Sequence, residues 1–219
     1  MYKATFLRSP SVRSLIVTAC TSRKKFTPLD QLTEADLDEP TLRQHGEARL
    51  AGYRLPCVEM YTGTSHNFVI DAIKMLRDNG YPVSHFILSA GYGLLSESDL
   101  IVPYNVTFSG APKAWIRERG RQLGLREQLV ARAREHDQVI LILGREYLTA
   151  IGLPLPVDSL PPTIIYIAPS LVERVGHGVE TRPVGQVERR EIRAYSSAAK
   201  EKRFQMDVYC TLHSGADHE

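Results

Sequence analysis

Four short apolar runs punctuate the chain, at residues 15–20, 86–88, 138–143 and 163–168. Each is continuous rather than alternating, the pattern of a strand buried on both faces. Between them the period changes. In residues 65–79, Phe68, Ala72, Met75 and Leu76 recur at helical spacing, so that face is expected in the core, and Asn79-Gly80 reads as a stop. Residues 112–135 read as one long helix with Pro112 at its first position. Ile116, Gly120, Leu123 and Val130 cluster on one side of it, and Arg117, Arg121 and Arg132 fall within a sector of roughly 60° on another. Gly144-Arg145 turns into a short helix through residue 151. Strands alternating with helices predict an α/β fold with a mostly parallel central sheet and helices on both faces.

The breaks in this pattern are as informative as the elements. Residues 33–54 are charged and helical in type, an excursion over the surface that would suit a lid. Thr33-Glu34-Ala35-Asp36 fits a capping box, and Pro40 ends or restarts the helix there. The stretch 85–108 is the centre of interest. After its strand come Ser89-Ala90-Gly91-Tyr92-Gly93, where two glycines allow a sharp turn and close approach of a ligand. An acidic-polar loop, Ser96-Glu97-Ser98-Asp99, follows, and Pro103 biases Val102 towards extended backbone. Ligands of open α/β sheets sit beyond the carboxyl ends of strands, so this loop is where a site is expected. The first strand ends in Thr21-Ser22-Arg23-Lys24-Lys25, hydroxyls and cations that suit an anion such as phosphate. His66 and Asn67 fall in a first helical turn near the same end of the sheet. Residues 154–162 are proline-rich and expected as loop.

Composition narrows the class. With 219 residues, 43% hydrophobic and 24% charged, the chain suits one globular domain with a tail. A core over residues 1–175 and a basic segment over residues 176–219 are expected, the latter carrying Arg189, Arg190, Arg193, Lys200, Lys202 and Arg203 interleaved with Tyr195, Phe204 and Tyr209. A net charge of +2 does not by itself argue for nucleic acid. Cys20, Cys57 and Cys210 have no paired spacing, which disfavours a zinc ribbon or disulfide scaffold and points to a reducing cytoplasm. No run approaches the ~18 apolar residues of a membrane span, so no membrane association is expected. Walker, dinucleotide-binding, nucleophile-elbow and zinc-protease motifs are absent, and neither metal nor cofactor is expected. Cys20, at a strand end, is a candidate nucleophile without a supporting local signature.

Leu88-Ser89, Tyr92-Gly93-Leu94-Leu95, Asp99-Leu100 and Pro103-Tyr104 match in order the LSxxYGxL, DL and PY signature of the YaaA-like peroxide-stress proteins, and the chain resembles that family. The strand and turn at 15–25, Tyr61-Thr62-Gly63, and Lys200, Arg203 and Met206 at the spacing of its C-terminal K-x-x-R-G-x-M helix resemble further pieces of it. A shorter bacterial and phage family has a similar layout and looks closer still. Phe204 stands where the family's helix has glycine, Asn105 stands where arginine or aspartate follows PY, and the proline-rich loop has no counterpart. The resemblance implies a uracil-DNA-glycosylase-like fold and nucleic-acid binding. Related domains occur beside enzymes that exchange or modify bases in tRNA and DNA.

Three functions follow as expectations. The first is a cytoplasmic enzyme acting on a base in DNA, most simply an N-glycosylase for a modified base, as in anti-phage defence. It must extrude and stack the base, clamp phosphates and stabilise developing positive charge on the sugar. Tyr92 or Tyr104 would stack. Ser22, Lys24, Lys25, Lys200 and Arg203 would hold phosphates, with Thr18, Tyr61 and Ser89 as further nucleic-acid contacts. Asp99 is the first-choice carboxylate and Asp71 the second, and Asn105 would read a base edge. The second function is a non-catalytic DNA-binding stress protein, which needs the basic surface and no placed carboxylate. The third is a nucleoside transferase or hydrolase. The nucleic-acid partner is expected to be DNA, with tRNA as the alternative.

Overall fold

The computed structural model describes residues 12–156, 160–167 and 180–183. The first strand, β1 (Ser14–Ala19), lies at the centre, parallel to β3 (Val83–Ser89) on one side and β6 (Gln138–Ile142) on the other. Two further parallel strands, β7 (Thr163–Ile167) and β8 (Glu180–Pro183), extend the sheet beyond β6. The opposite edge is β4 (Gly93–Ser96), antiparallel to β3, so the order is β4-β3-β1-β6-β7-β8. The expected mostly parallel sheet is present, and the antiparallel edge is an addition to it. β8 lies beyond residue 175, so the sheet takes in part of the segment that charge sets apart.

Successive β1 residues serve opposite faces, as the strand period requires. Ile16 packs with Ile140 against α4 (Thr64–Asp78), which presents Val69, Ala72, Ile73 and Leu76. Leu15 and Val17 belong to the larger cluster on the other face, with Leu125, Leu129, Leu148 and Ile151. These come from α6 (Leu125–Ala133) and α7 (Arg145–Ile151), preceded by α5 (Lys113–Gln122). Helices therefore cover both faces.

Two helical expectations are corrected. Residues 112–135 are not one helix. The chain breaks at Gly124, whose φ of +60° costs a Cβ-bearing residue dearly, and Pro112 is the N-cap rather than the first helical residue. The core stripe of α4 is Val69, Ala72, Ile73 and Leu76. Phe68 and Met75 lie roughly 100° round the helix from it, half-buried and 40% exposed respectively.

The excursion forms α1 (Glu34–Asp38) and α2 (Pro40–Arg49). The Thr33 capping box closes both ways: the Thr33 amide donates to the Asp36 carboxylate at 2.8 Å and the Asp36 amide to the Thr33 hydroxyl at 3.3 Å. Pro40 restarts the helix. After a 3-10 turn (Ala51–Tyr53) come β2 (Leu55–Pro56) and α3 (Cys57–Met60). β2 pairs antiparallel with β5 (Leu100–Ile101).

Candidate functional site

β3 and β6 lie on opposite sides of β1, so the chain changes direction across the sheet beside β1. In doubly wound sheets the crevice at such a point, beyond the strands' carboxyl ends, holds ligands. Cys20 leaves β1 there. Its thiol lies 2.9 Å from the Tyr147 hydroxyl, which also donates to the Cys20 carbonyl at 3.2 Å. Tyr147 stands in the first turns of α7, the helix after β6, so this buried contact joins the end of β1 to α7.

On the β3 side, Ser89 ends the strand fully buried. Its hydroxyl oxygen accepts from the Gly91 and Tyr92 amides at 3.1 and 3.0 Å, which forms the tight turn into β4. The same hydroxyl is 2.7 Å from the Tyr104 hydroxyl, itself 2.8 Å from that of Tyr61. Both tyrosines are buried, and burial pushes both phenols well up, so they stay neutral hydrogen-bonding groups. Gly91 sits so close to this network that a Cβ there would lie 2.7 Å from the Tyr104 ring.

Lys24 rests on the network. Its ammonium is 4.2 Å from the Tyr104 ring centroid, and its backbone bridges to Tyr61. It is half-buried, burial lowers its pKa, and it makes no ion pair among the described residues. The loop carrying it is anchored by the Lys25 amide on the Met60 carbonyl at 2.8 Å and the Thr62 amide on the Arg23 carbonyl at 3.1 Å. This explains Tyr61-Thr62-Gly63: a Cβ on Gly63 would lie 2.6 Å from the Thr21 methyl.

Arg119 underpins the turn. Its side chain is 1% exposed, donates to the Ala90 carbonyl at 3.0 Å and the Gly91 carbonyl at 3.3 Å, and pairs with Asp38 of α1. The Trp115 indole donates to Glu34 at 3.2 Å, and the Arg43 guanidinium lies over the Tyr92 ring at 4.8 Å. The excursion is thus latched onto the glycine turn from α5 on one side and α2 on the other.

The expected site residues divide into three groups. Lys24, Tyr61, Ser89 and Tyr104 come together, with Tyr92 at their edge, its ring 5.3 Å from that of Tyr104. Tyr104 is fully buried, so it organises the floor and offers no face for stacking. Thr18 is buried below, its hydroxyl 3.0 Å from His85 Nε2. A second chain of contacts runs from there out to the surface: His85 Nδ1 is 3.3 Å from Glu97, which pairs with the exposed Arg77 at 2.8 Å, and hydrogen bonding to His85 helps hold Glu97 below the usual carboxylate range.

Ser22, Lys25, Asp71, Asp99 and Asn105 are exposed. The Asp99 carboxylate accepts from the Ser96 amide at 2.8 Å and closes the turn between β4 and β5. Asp71 is on the solvent face of α4, and Asn105 donates its backbone amide to the Leu32 carbonyl at 2.8 Å. His66 is buried in the first turn of α4, 2.9 Å from the Val58 carbonyl, and burial lowers its pKa. Lys200 and Arg203 lie outside the described residues.

The arginine stripe dissolves with the long helix. Arg121 pairs with Glu118, and Arg132 with Glu135 at 3.2 Å. A cavity of about 220 Å³ does open between α5, α6 and α7, lined by Arg117, Arg121 and Arg126. Arg126 is already committed to the Gly152 and Pro154 carbonyls. No group of His, Cys, Asp and Glu suited to a metal ion occurs among the described residues.

Two residues were not picked out from sequence. Arg119 falls on the apolar side of its helix, between Ile116 and Gly120, and that position was its signal. Glu146 directly follows Gly144-Arg145 at the end of the clearest strand. It is half-buried in the first turn of α7, beside Tyr147, and makes no ion pair among the described residues.

Fold and site together define a doubly wound α/β protein with a buried polar cluster where β1, the β3–β4 turn and the start of α7 meet. Residues 49–159, half of the chain, match the model of DUF6884, a family of unknown function, and the chain belongs to that family. No curated protein matches it. No helix among the described residues is long and apolar enough to cross a membrane.

Proposed function

We propose that this protein removes a nucleobase from nucleic acid, as an N-glycosylase acting on modified bases in DNA, and that its core is of the uracil-DNA-glycosylase-like type. The observation that carries the reading is a pair of oppositely charged, half-buried groups, Lys24 and Glu146. Each lacks an ion-pair partner among the described residues; Lys24 is on the loop that follows Cys20, and Glu146 precedes Tyr147, whose hydroxyl is 2.9 Å from the Cys20 thiol. Breaking the N-glycosidic bond leaves positive charge on the sugar and negative charge on the departing base. A carboxylate answers the first and a cation the second, most strongly where water is scarce.

Glu146 suits the carboxylate role better than Asp99, whose oxygen is occupied by the Ser96 amide. The hydroxyls of Ser89, Tyr61 and Tyr104 form a neutral, rigid floor. Tyr92, at the edge of this floor, keeps some exposure where Tyr104 has none, and would meet a base if Arg43 swings off its ring. Lys25 and Ser22, exposed on the loop after β1, suit phosphate contact.

The test is incubation of the full chain with duplexes carrying a panel of modified and ordinary bases, followed by hot alkali. Breaks at discrete bases support the reading. Salt-sensitive binding without breaks on any member of the panel favours a DNA-binding protein instead.

A further inference from the structure

Among the described lysines, Lys25, Lys74 and Lys113 are exposed and only Lys24 is half-buried. Its environment is unusual for a phosphate clamp. The ammonium lies against a ring rather than projecting into solvent, at 4.2 Å from the Tyr104 centroid. Its backbone is fixed by the bridge to Tyr61, and its neighbour's amide is tied to Met60 at 2.8 Å. No carboxylate among the described residues holds its proton in place. A lysine so placed gives up its proton more readily than a solvated one, and so serves as a cation while protonated and as an amine nucleophile once neutral.

We propose that Lys24 forms an imine with C1′ of the deoxyribose left when a base is removed, so that the protein holds its abasic product covalently. This rests on the base-removal reading and names the chemistry that would follow it. The neutral Nζ adds to the aldehyde carbon of the ring-opened sugar. The carbonyl π pair moves to oxygen, which takes up a proton, while nitrogen loses one. The resulting hydroxyl then leaves as water with a second proton as the C=N bond forms. Amine and aldehyde give imine and water, with no oxidant or reductant, and hydrolysis reverses the step.

Two features favour this chemistry. Burial lowers the Lys24 pKa, which increases the share of neutral amine. The protonated imine is again a cation at the same place, so the Tyr104 ring that steadies the ammonium steadies the product too.

The experiment uses an oligonucleotide with a preformed abasic site, so it does not depend on base removal. The full chain is mixed with it in the presence of sodium borohydride, whose hydride reduces the imine to a stable secondary amine. Mass spectrometry then maps the adduct in the wild-type protein. The expected result is an adduct on Lys24, reduced at least tenfold in Lys24→Arg and retained in Lys74→Arg, an exposed lysine of α4. No adduct, an adduct mapped to another amine, or equal trapping in a folded Lys24→Arg variant overturns the proposal. Wild-type mapping decides even if that variant fails to fold. Base release without an adduct removes the lysine chemistry and keeps the glycosylase reading; an adduct on Lys24 without base release supports the lysine chemistry and removes that reading.

Discussion

Arg119 and Asp38 form an ion pair in which the guanidinium is almost wholly buried and the carboxylate is 46% exposed. The pair joins α5 to α1, with the Ala90 and Gly91 carbonyls held by the same guanidinium. A buried arginine left without its partners is costly, and a turn left without its arginine keeps two carbonyls short of donors. Arg119→Ala is expected to destabilise the protein by about 3–5 kcal/mol. Asp38→Asn, whose carboxylate is partly solvated, is expected to cost less. Urea unfolding of both variants checks the order.

Gly120 lets α5 cross α7. A Cβ there would lie 2.1 Å from the Ala150 carbonyl oxygen, backbone that cannot rotate aside. Gly120→Ala is therefore expected to cost about 1–3 kcal/mol or more through overpacking. Gly52→Ala, where nothing lies within 4 Å of the added carbon, is expected to be near neutral. Thermal melts of the two single variants measure the contrast.

The hydroxyl of Tyr104 serves both Tyr61 and Ser89. Tyr104→Phe leaves two buried hydroxyls each short of a partner and is expected to cost about 1–3 kcal/mol. Tyr61→Phe removes one end of the chain of hydroxyls and is expected to cost less. Chemical denaturation with unchanged m-values would show that the loss is local.

His66 is buried and its pKa is lowered, so the folded protein favours its neutral form. The unfolded imidazole takes up a proton near pH 6.5. The stability due to neutral His66 is therefore full above that pH and is lost as pH falls from there through the lower folded pKa. His66→Gln is expected to flatten the acid side of the stability profile below about pH 6.5. A slope identical to that of the parent would show that His66 is not responsible.

Much of the architecture can be read from local pattern. The four continuous apolar runs became β1, β3, β6 and β7, and Thr33 and Pro40 mark where the excursion's helices start and restart. Asn79-Gly80 ends α4, with φ of +84° at Gly80. What escaped depends on partners distant in sequence. Leu94 and Leu95 form an edge strand only because the turn on Ser89 folds them back onto β3. Gly124 breaks a long amphipathic stretch whose arginines otherwise align. Arg119 resembles its solvated neighbours Arg117 and Arg121 in type and differs only in facing the core. In the site, the motif residues Ser89, Tyr61 and Tyr104 do assemble. Glu146 was hidden because a lone acid in a helix's first turn is ordinary, the place the helix dipole favours.

Asp99 and Glu146 are separable by mutation. Asp99→Ala loses a turn hydrogen bond and is expected to cost at most about 1 kcal/mol, with base removal retained. Glu146→Gln keeps the shape and removes the charge, and is expected to slow base removal at least a hundredfold, of the order seen when one charge-stabilising group is lost. Single-turnover rates with circular dichroism on the same samples distinguish chemistry from folding.

The most direct measurement of the central claim is chromatographic detection of free base released from duplex DNA by the purified full chain, across modified and ordinary bases. The account predicts release of at least one modified base, slowed at least a hundredfold in Glu146→Gln. DNA that is bound but yields no free base from any duplex, with Glu146→Gln binding as the parent does, would contradict it.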